Sequence, residues 1–183
     1  VKEISTIARD YPGCNEIYLE IETFSVNRKW AMQLCAELSA LNRALTRPLS
    51  YGVNIRVIPN VDFTDLFNAC KGSNFRFINI GLESGSERVR RDILKREYSN
   101  QDIIKVVNAA RKAGLKVALY NMIGIPGETA SDFKETVKLN KICLPDWHMT
   151  GIFFPYSGTD IYCSAKKCGL LNEKISSDLE RNR

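Results

Sequence analysis

The stretch that decides the fold covers residues 75–129 and reads FRFINIGLESGSERVRRDILKREYSNQDIIKVVNAARKAGLKVALYNMIGIPGET. It begins with an extended apolar run at 75–82, passes through helical patterns, and returns to a second extended apolar run. Ser99, with Asp102 three residues later, matches a capping box, and Gly114 supplies a left-handed stop at the end of that helix. A strand, a helix and a strand in this order predict a βαβ unit with parallel strands.

The same alternation extends through the rest of the chain. Asn27 precedes apolar residues at helical spacing, and another helix begins at Thr129 or Ser131 and ends before Pro145. The predicted strands cover residues 16–21, 53–58, 75–82, 115–125 and 148–154, and short helices are also predicted at 62–70 and 86–95. This pattern predicts an α/β protein with a parallel sheet, either an open doubly wound sheet or an arc of a (βα) barrel.

Composition narrows the class of protein. A chain of 183 residues with 44% apolar and 26% charged residues predicts one globular domain and excludes a disordered chain. No stretch approaches the roughly 20 apolar residues of a transmembrane helix. Six cysteines at irregular spacing favour reduced thiols and a cytoplasmic protein over a disulfide scaffold.

The net charge of +5 is concentrated in the middle third of the chain. Arg88, Arg90, Arg91, Lys95 and Arg96 fall within nine residues. No aromatic residues of the kind that stack on bases lie between them, so nucleic-acid binding is weakly supported. We interpret Arg88, Arg91 and Lys95 as a solvated helix face and Arg96 as the functional candidate.

No metal site or catalytic triad is predicted within this chain. Cys143 and His148 have four residues between them, as do Cys163 and Cys168, a spacing that superficially suggests zinc. Cys143 ends a predicted helix and His148 begins a strand, so nothing brings the two pairs together. The single histidine also has no partner from which a nucleophilic triad can be argued.

Polar residues and glycines follow every predicted strand, at the sheet edge where parallel α/β proteins bind their ligands. Glu20 and Glu22 are two residues apart and therefore point to the same side of a strand, as a functional pair or as two exposed carboxylates. The loops at 84–86 and 124–129 lead into helix N-termini, where backbone amides bind anions. One alternative function is therefore a cluster-free α/β protein that binds an anionic ligand at these two loops.

Residues 78–129, together with FFPYSGTDIY at 153–162 and the first 30 residues, resemble the radical S-adenosylmethionine (radical SAM) superfamily. The resemblance is greatest to the branch that often carries a cobalamin-binding domain. It implies a partial (βα)6 TIM-like barrel, comprising strands two to six of the radical SAM core over residues 1–171, followed by a terminal tail at 172–183. It also implies an iron–sulfur enzyme of the oxidoreductase or methyltransferase type that cleaves S-adenosylmethionine reductively to a 5′-deoxyadenosyl radical, with a reductant such as flavodoxin or ferredoxin.

The resemblance further implies which residues contact S-adenosylmethionine. Glu20 and Glu22 match polar residues near the methionyl amine, and Arg96 matches a basic residue that pairs with the methionyl carboxylate. The other matches are Arg56 on the next strand, Glu83 and Ser84 near the ribose, Ile123, Gly124 and Pro126 along the adenine, and Phe154 and Pro155 on the last strand, which closes over the cofactor.

The family holds its 4Fe-4S cluster on three cysteines spaced CxxxCxxC, and this spacing does not occur among the six cysteines here. We therefore expect a segment of a longer enzyme in which the cluster ligands and any cobalamin domain lie outside this chain. Such a segment is expected to be inactive alone and to expose a sheet edge at 17–21 that favours a homodimer. A non-catalytic scaffold that pairs with a second chain is a further alternative.

Overall fold

The computed structural model describes residues 1–21 and 24–171. Its helices are α1 (Lys2–Asp10), α2 (Arg28–Ala44), α3 (Thr64–Gly72), α4 (Asn100–Lys112), α5 (Ala130–Cys143) and α6 (Asp160–Lys167). Its strands are β1 (Glu16–Leu19), β2 (Ser50–Ile55), β3 (Phe75–Glu83), β4 (Lys116–Ile123) and β5 (Trp147–Ile152). The predicted tail at 172–183 lies outside the described residues.

The five strands form one parallel sheet in the order β1-β2-β3-β4-β5. Each strand therefore lies beside the strand that precedes it in the chain. A doubly wound sheet reverses direction at a switch point, whereas a barrel adds strands in one direction. The fold is thus a half-barrel, which confirms the predicted partial TIM-like barrel and excludes the doubly wound alternative.

The two faces of the sheet have different roles. Ile78, Ile80 and Leu82 of β3 are fully buried and belong to the main core, together with Leu38 of α2 and Ile103 of α4. Because side chains alternate along a strand, the intervening residues of β3 face the concave side, which is the barrel interior. The helices therefore cover one face of the sheet, and the other face can hold a ligand.

Aromatic rings fill the end of the barrel interior that lies nearest the amino termini of the strands. The ring of Phe77 packs directly over Gly52, where an added Cβ would lie 2.0 Å from the ring. Tyr18 stacks on Phe77 at a centroid distance of 6.1 Å, and Trp147 meets it edge-on at 5.5 Å. These rings close the barrel from below, and only glycine at position 52 permits the packing.

The predicted helix caps are confirmed. The Asn27 side chain caps α2, and the Ser99 capping box begins α4. Gly114 has the positive φ of a left-handed stop, at 77°. Of the two candidates for the start of α5, Thr129 rather than Ser131 is the cap.

The second strand occupies Ser50–Ile55 rather than the predicted 53–58. It ends early because the backbone N–H of Arg56 donates to the Ser25 hydroxyl at 2.9 Å, and that hydroxyl donates to the Arg56 carbonyl at 2.8 Å. A side chain of the loop after β1 thus replaces the neighbouring strand as the partner of Arg56.

The helix predicted at 86–95 contains a π-helical turn, which has a larger diameter than an α-helix. Residues Val89–Ile93 form a π-helical turn, in which the Leu94 N–H donates to the Val89 carbonyl at 3.0 Å. Such turns are rare and occur frequently at functional sites. Here the π-helical turn carries Arg90 into the protein interior.

The Arg90 side chain is fully buried, and it clamps the segment between β3 and α4. Its guanidinium donates to the carbonyls of Ser84 and Tyr98 and, at 2.6 Å, to the side-chain oxygen of Asn100. It also lies over the Tyr98 ring, 5.2 Å from its centroid. Burial lowers the pKa of Arg90, but an arginine stays charged in proteins. One buried cation therefore joins the end of β3 to the start of α4.

A second polar network joins the same segment to α5. Asp132 accepts a hydrogen bond from Ser86 at 2.7 Å and pairs with Arg88 at 2.6 Å. The Gly85 N–H donates to the Thr136 hydroxyl at 2.7 Å, and a Cβ on Gly85 would clash with the backbone of α5 at 2.5 Å. Hydrogen bonds hold the pKa of Asp132 well below its usual range, and the bond from Arg88 has the largest effect. Arg88 is exposed, as predicted for a solvated face, but it also pairs with Asp132, which the sequence did not indicate.

Two further sequence predictions are tested here. All six cysteines lie in the described part of the chain and are free thiols, as predicted. Within residues 1–21 and 24–171, no helix is both long and apolar enough to cross a membrane.

Replacing Arg90 with methionine is expected to lower the free energy of unfolding by about 3 kcal/mol or more, because three buried acceptors lose their donor. The measurement is chemical denaturation followed by circular dichroism. Arg91→Met is the matched control, since Arg91 is exposed and forms an ion pair with its exposed neighbour Asp92, and it should cost less than about 0.5 kcal/mol. Equal losses in the two variants would contradict the role of Arg90 as a clamp.

Candidate functional site

A cavity of about 480 Å³ opens on the concave face of the sheet, at the carboxyl ends of β1 to β4. Four of the residues predicted to bind a cofactor line it: Glu20, Arg56, Glu83 and Arg96. The other lining residues are Tyr18, Asn54, Ile55, Val57, Asn79, Gly81, Tyr98 and Tyr120. The fold therefore gathers two carboxylates and two guanidinium groups, from four separate parts of the chain, around one space.

Glu83 stands at the end of β3 in a strained backbone conformation. Its φ is +62°, and the Ser84 N–H donates to the Leu82 carbonyl at 2.8 Å across it, as in a γ-turn. The pairing of β3 with β4 also shifts register between Gly81 and Glu83. Strained residues of this kind persist where the surrounding structure fixes them, often at ligand sites.

The Glu83 carboxylate is folded back over Gly81. A Cβ on Gly81 would lie 2.6 Å from Oε1 of Glu83, so a side chain at position 81 would displace the carboxylate. Burial raises the pKa of Glu83, and the charge of Arg96 opposes that effect. The pair thus places a poorly solvated carboxylate and a cation on the same wall of the cavity.

Arg96 and Tyr98 take their positions from the Arg90 clamp. The Arg96 N–H donates to the Arg90 carbonyl at 2.8 Å, and the Tyr98 hydroxyl donates to the Gly81 carbonyl at 2.9 Å. Burial raises the pKa of Tyr98 to about 12, so its hydroxyl remains a donor at neutral pH. The segment after the π-helical turn is therefore fixed against the end of β3 from both sides.

The lower part of the cavity carries a continuous hydrogen-bond chain across three strands. The Tyr18 hydroxyl donates to Oδ1 of Asn54 at 2.5 Å and accepts from Nδ2 of Asn79 at 3.1 Å. Asn79 is 4% exposed, and its Oδ1 has no hydrogen-bond partner among the described residues. An unpaired buried acceptor of this kind is unusual in a folded protein.

The remaining sequence-predicted residues do not line this cavity. Ser84 is fully buried, and its hydroxyl accepts from the Ser86 N–H at 3.2 Å. Glu22 lies outside the described residues. The others stand at the carboxyl ends of β4 and β5, on the same edge of the sheet but beyond the cavity wall: Ile123, Gly124, Pro126, Phe154 and Pro155.

The alternative anion site at the 84–86 and 124–129 loops required free backbone N–H groups, and several of these groups are already hydrogen-bonded within the protein. The N–H groups of Gly85 and Ser86 donate to hydroxyls of the protein. The Gly124 N–H donates to the Glu128 carboxylate at 2.9 Å, and the Thr129 N–H donates to a second carboxylate at 2.9 Å. Acidic and hydroxyl side chains of the chain itself thus occupy the positions that an anion would take.

Sequence reasoning missed the uncharged residues of the site, and one signal could have found them. Asn54 lies two residues before Arg56, and Asn79 lies four before Glu83, so each shares a strand face with a predicted residue. The same two-residue period groups Tyr18 with Glu20. Tyr98 and the buried Arg90 carried no such signal. The helix α6, capped by Thr159, was not predicted either.

A family model described as the radical SAM superfamily matches residues 1–139. The chain belongs to the radical SAM superfamily. Members of this superfamily are enzymes that use S-adenosylmethionine and a 4Fe-4S cluster. The resemblance stated from the sequence is therefore confirmed.

Three relatives illustrate how much of a longer protein this chain covers. An uncharacterized methyltransferase of Pyrococcus horikoshii is 26% identical over 163 residues, 88% of this chain and 34% of that protein. The tRNA-2-methylthio-N(6)-dimethylallyladenosine synthase of Clostridium tetani is 29% identical over 108 residues, 58% of this chain and 22% of that protein. The structure of the radical S-adenosylmethionine methyltransferase TsrM from Kitasatospora setae, with cobalamin and a 4Fe-4S cluster bound, aligns with a TM-score of 0.72 at 19% identity and covers 92% of this chain and 33% of that one. The chain spans about a third or less of each of these proteins.

The residues around the cavity fit S-adenosylmethionine. That molecule carries an ammonium, a carboxylate and two ribose hydroxyls, and the cavity offers two carboxylates and two guanidinium groups. In the described part of the chain, no three His, Cys, Asp or Glu side chains are placed to hold a metal ion.

Replacing Glu83 with glycine is expected to raise the free energy of unfolding by about 1 kcal/mol, because glycine tolerates the positive φ and the buried carboxylate is removed. Thermal and denaturant unfolding measure the change. Lys95→Gly is the comparison, since Lys95 also has a positive φ, at 55°, but is exposed; it isolates the backbone effect. A loss of stability in Glu83→Gly would contradict the strain argued for this turn.

Proposed function

We propose that the cavity binds S-adenosylmethionine as the cofactor-binding core of a radical SAM iron–sulfur enzyme. One observation carries the proposal: the half-barrel places Glu20, Arg56, Glu83 and Arg96 around a single cavity at the carboxyl ends of the strands. Ligands of barrel enzymes bind at this edge. When bound to a reduced 4Fe-4S cluster, S-adenosylmethionine supplies a 5′-deoxyadenosyl radical to the reaction.

The charges of the cavity support a specific orientation of the cofactor. Arg96 donates to the methionyl carboxylate, and Glu20, together with Glu22, accepts from the amine. Glu83 accepts from the ribose hydroxyls, and Arg56 stands near Arg96 and Tyr98, in the segment that follows the π-helical turn. The loop containing Ile123, Gly124 and Pro126 borders the adenine, and Phe154 with Pro155 closes over it from the last strand; Ser84 supports the turn below.

The rest of the enzyme is also part of the proposal. The cluster ligands belong to a CxxxCxxC segment outside the 183 residues, and the resemblance to TsrM, whose structure contains cobalamin, supports a cobalamin-dependent branch. An external reductant such as flavodoxin or ferredoxin supplies the electron that the cluster needs. The six free thiols support a cytoplasmic setting.

The proposal predicts that the chain binds S-adenosylmethionine and that Arg96→Met weakens binding about 10- to 100-fold, the effect of losing one charged hydrogen-bond donor. Equilibrium dialysis under anaerobic conditions measures the affinity. The matched control is Arg91→Met, because Arg91 lies in the same basic cluster but pairs with exposed Asp92 and does not line the cavity. Undetectable binding by the unaltered chain, or equal affinity in Arg96→Met, contradicts the proposal.

We also propose that the open edge of β1 pairs two copies of this chain. Among the described residues, β1 lies at one end of the sheet and pairs with β2 alone. Such edges pair readily with another strand. Light scattering of the 183-residue chain should show a dimer that dissociates on dilution. A monomer throughout the concentration range, or a dimer that survives proline substitution at Tyr18, contradicts pairing through this edge.

A further inference from the structure

The wall of the cavity below the charged residues is polar but uncharged. We call this wall the lower layer and define it as Tyr18, Asn54, Asn79 and Tyr120, one residue from each of β1 to β4. Beneath it, the rings around Phe77 close the barrel. We call the four charged residues of the cavity, Glu20, Arg56, Glu83 and Arg96, the charged rim. A molecule bound below the charged rim would therefore contact the four side chains of the lower layer and could go no deeper.

In the structure the Tyr18 hydroxyl links the two asparagine amides, and each amide is turned one way. A tyrosine hydroxyl has one proton, and Tyr18 gives it to Oδ1 of Asn54. Tyr18 can therefore only accept from Asn79, which must face it with its amide nitrogen, as observed. The oxygen of Asn79 is the other end of the amide, and the register partner of Asn79 on β4, Ala118, offers it no polar side chain.

The lower layer thus presents an acceptor and a donor side by side. Asn54 and Asn79 are register partners on adjacent strands. Oδ1 of Asn79 is buried without a partner, and the amide nitrogen of Asn54 is the end of that side chain not engaged by Tyr18. A buried acceptor left unpaired is costly, and a donor from a bound molecule removes the cost.

We propose that the lower layer selects an uncharged, planar substrate group that donates an N–H to Asn79 and accepts from Asn54, as an amide or a lactam-type ring does. This inference rests on the proposed function, because it places the substrate beneath S-adenosylmethionine. The charges of the cavity are Glu20, Arg56, Glu83 and Arg96, and all four belong to the level above. The four side chains of the lower layer carry no charge, so an anionic group placed there would lose water without meeting a countercharge at its own level.

The two tryptophans of the chain provide a direct measurement. Trp147 belongs to the closed end of the barrel beside Phe77, whereas Trp30 lies on α2 in the helix layer. In a Trp30→Phe background, fluorescence reports only on Trp147. The probes are benzamide, which carries both N–H and C=O, benzoate, which has the same ring with a negative charge, and benzamidine, its cationic analogue. All titrations are made with saturating S-adenosylmethionine.

The expected result is a saturable fluorescence change with benzamide and at least tenfold weaker binding of benzoate. Asn79→Asp keeps the acceptor and adds a negative charge, so the ratio of benzamidine to benzamide affinity should rise at least tenfold. Asn108→Asp is the matched control, because Asn108 lines a different cavity beside α4; it should leave the ratio unchanged. Equal binding of benzamide and benzoate, or an unchanged ratio in Asn79→Asp, overturns the inference.

Two further measurements keep the outcome decisive. If circular dichroism shows that Asn79→Asp does not fold, Asn54→Asp takes its place. This variant retains the acceptor for Tyr18, and position 54 is less buried. It must produce the same tenfold shift in the affinity ratio, or the inference fails. Equilibrium dialysis of S-adenosylmethionine is repeated on each folded variant. Retained cofactor binding without probe selectivity refutes only the lower layer, whereas loss of cofactor binding by the unaltered chain refutes the proposed function itself.

Discussion

The buried guanidinium of Arg90 is the interaction on which the site depends. Its three acceptors belong to Ser84 at the end of β3, to Tyr98, and to Asn100 at the start of α4. Without a cation among them, these groups would have to reach water, and the segment between β3 and α4 would have to leave the barrel rim. Because the backbone N–H of Arg96 donates to the backbone carbonyl of Arg90, the residue with the buried charge also holds the backbone of an accessible arginine.

In and just before the same segment, several residues adopt conformations or environments that are locally unfavourable and that shape the site. Glu83 takes a backbone conformation that favours glycine, Gly81 leaves room for the Glu83 carboxylate, and Gly85 lets the loop touch α5. Asn79 keeps a buried oxygen without a partner. Each feature costs stability by itself, and they lie within seven residues of one strand and its turn. Natural sequences concentrate such violations at functional sites.

Local signals were sufficient for most of the helices and strands, and long-range contacts decided the rest. The period of two residues in β3 and the Ser99 capping box predicted their elements because both act between residues close in sequence. Of the candidate site, the charged rim was predicted through resemblance, at Glu20, Arg56, Glu83 and Arg96. Arg90 could not be separated from its basic neighbours, since its burial depends on acceptors 6 to 10 residues away that only the fold brings together. The hydroxyl of Ser25, which ends β2 early across 31 residues of sequence, was hidden for the same reason.

The two levels of the cavity have different physical origins, and this difference bears on how one fold can serve several reactions. The charged rim is built largely from strand ends and from the segment that Arg90 holds, so it is fixed by backbone geometry that the core also requires. The lower layer is built from single side chains on the strand faces, which can change without altering the sheet register. The packing beneath the lower layer also involves few residues, because Gly52 and Phe77 close the barrel by packing on each other. The charged rim is therefore suited to binding a cofactor that many enzymes share, and the lower layer is suited to selecting the substrate. In the lower layer, exchanging one amide for a carboxylate changes the charge that a ligand contacts and does not move a strand.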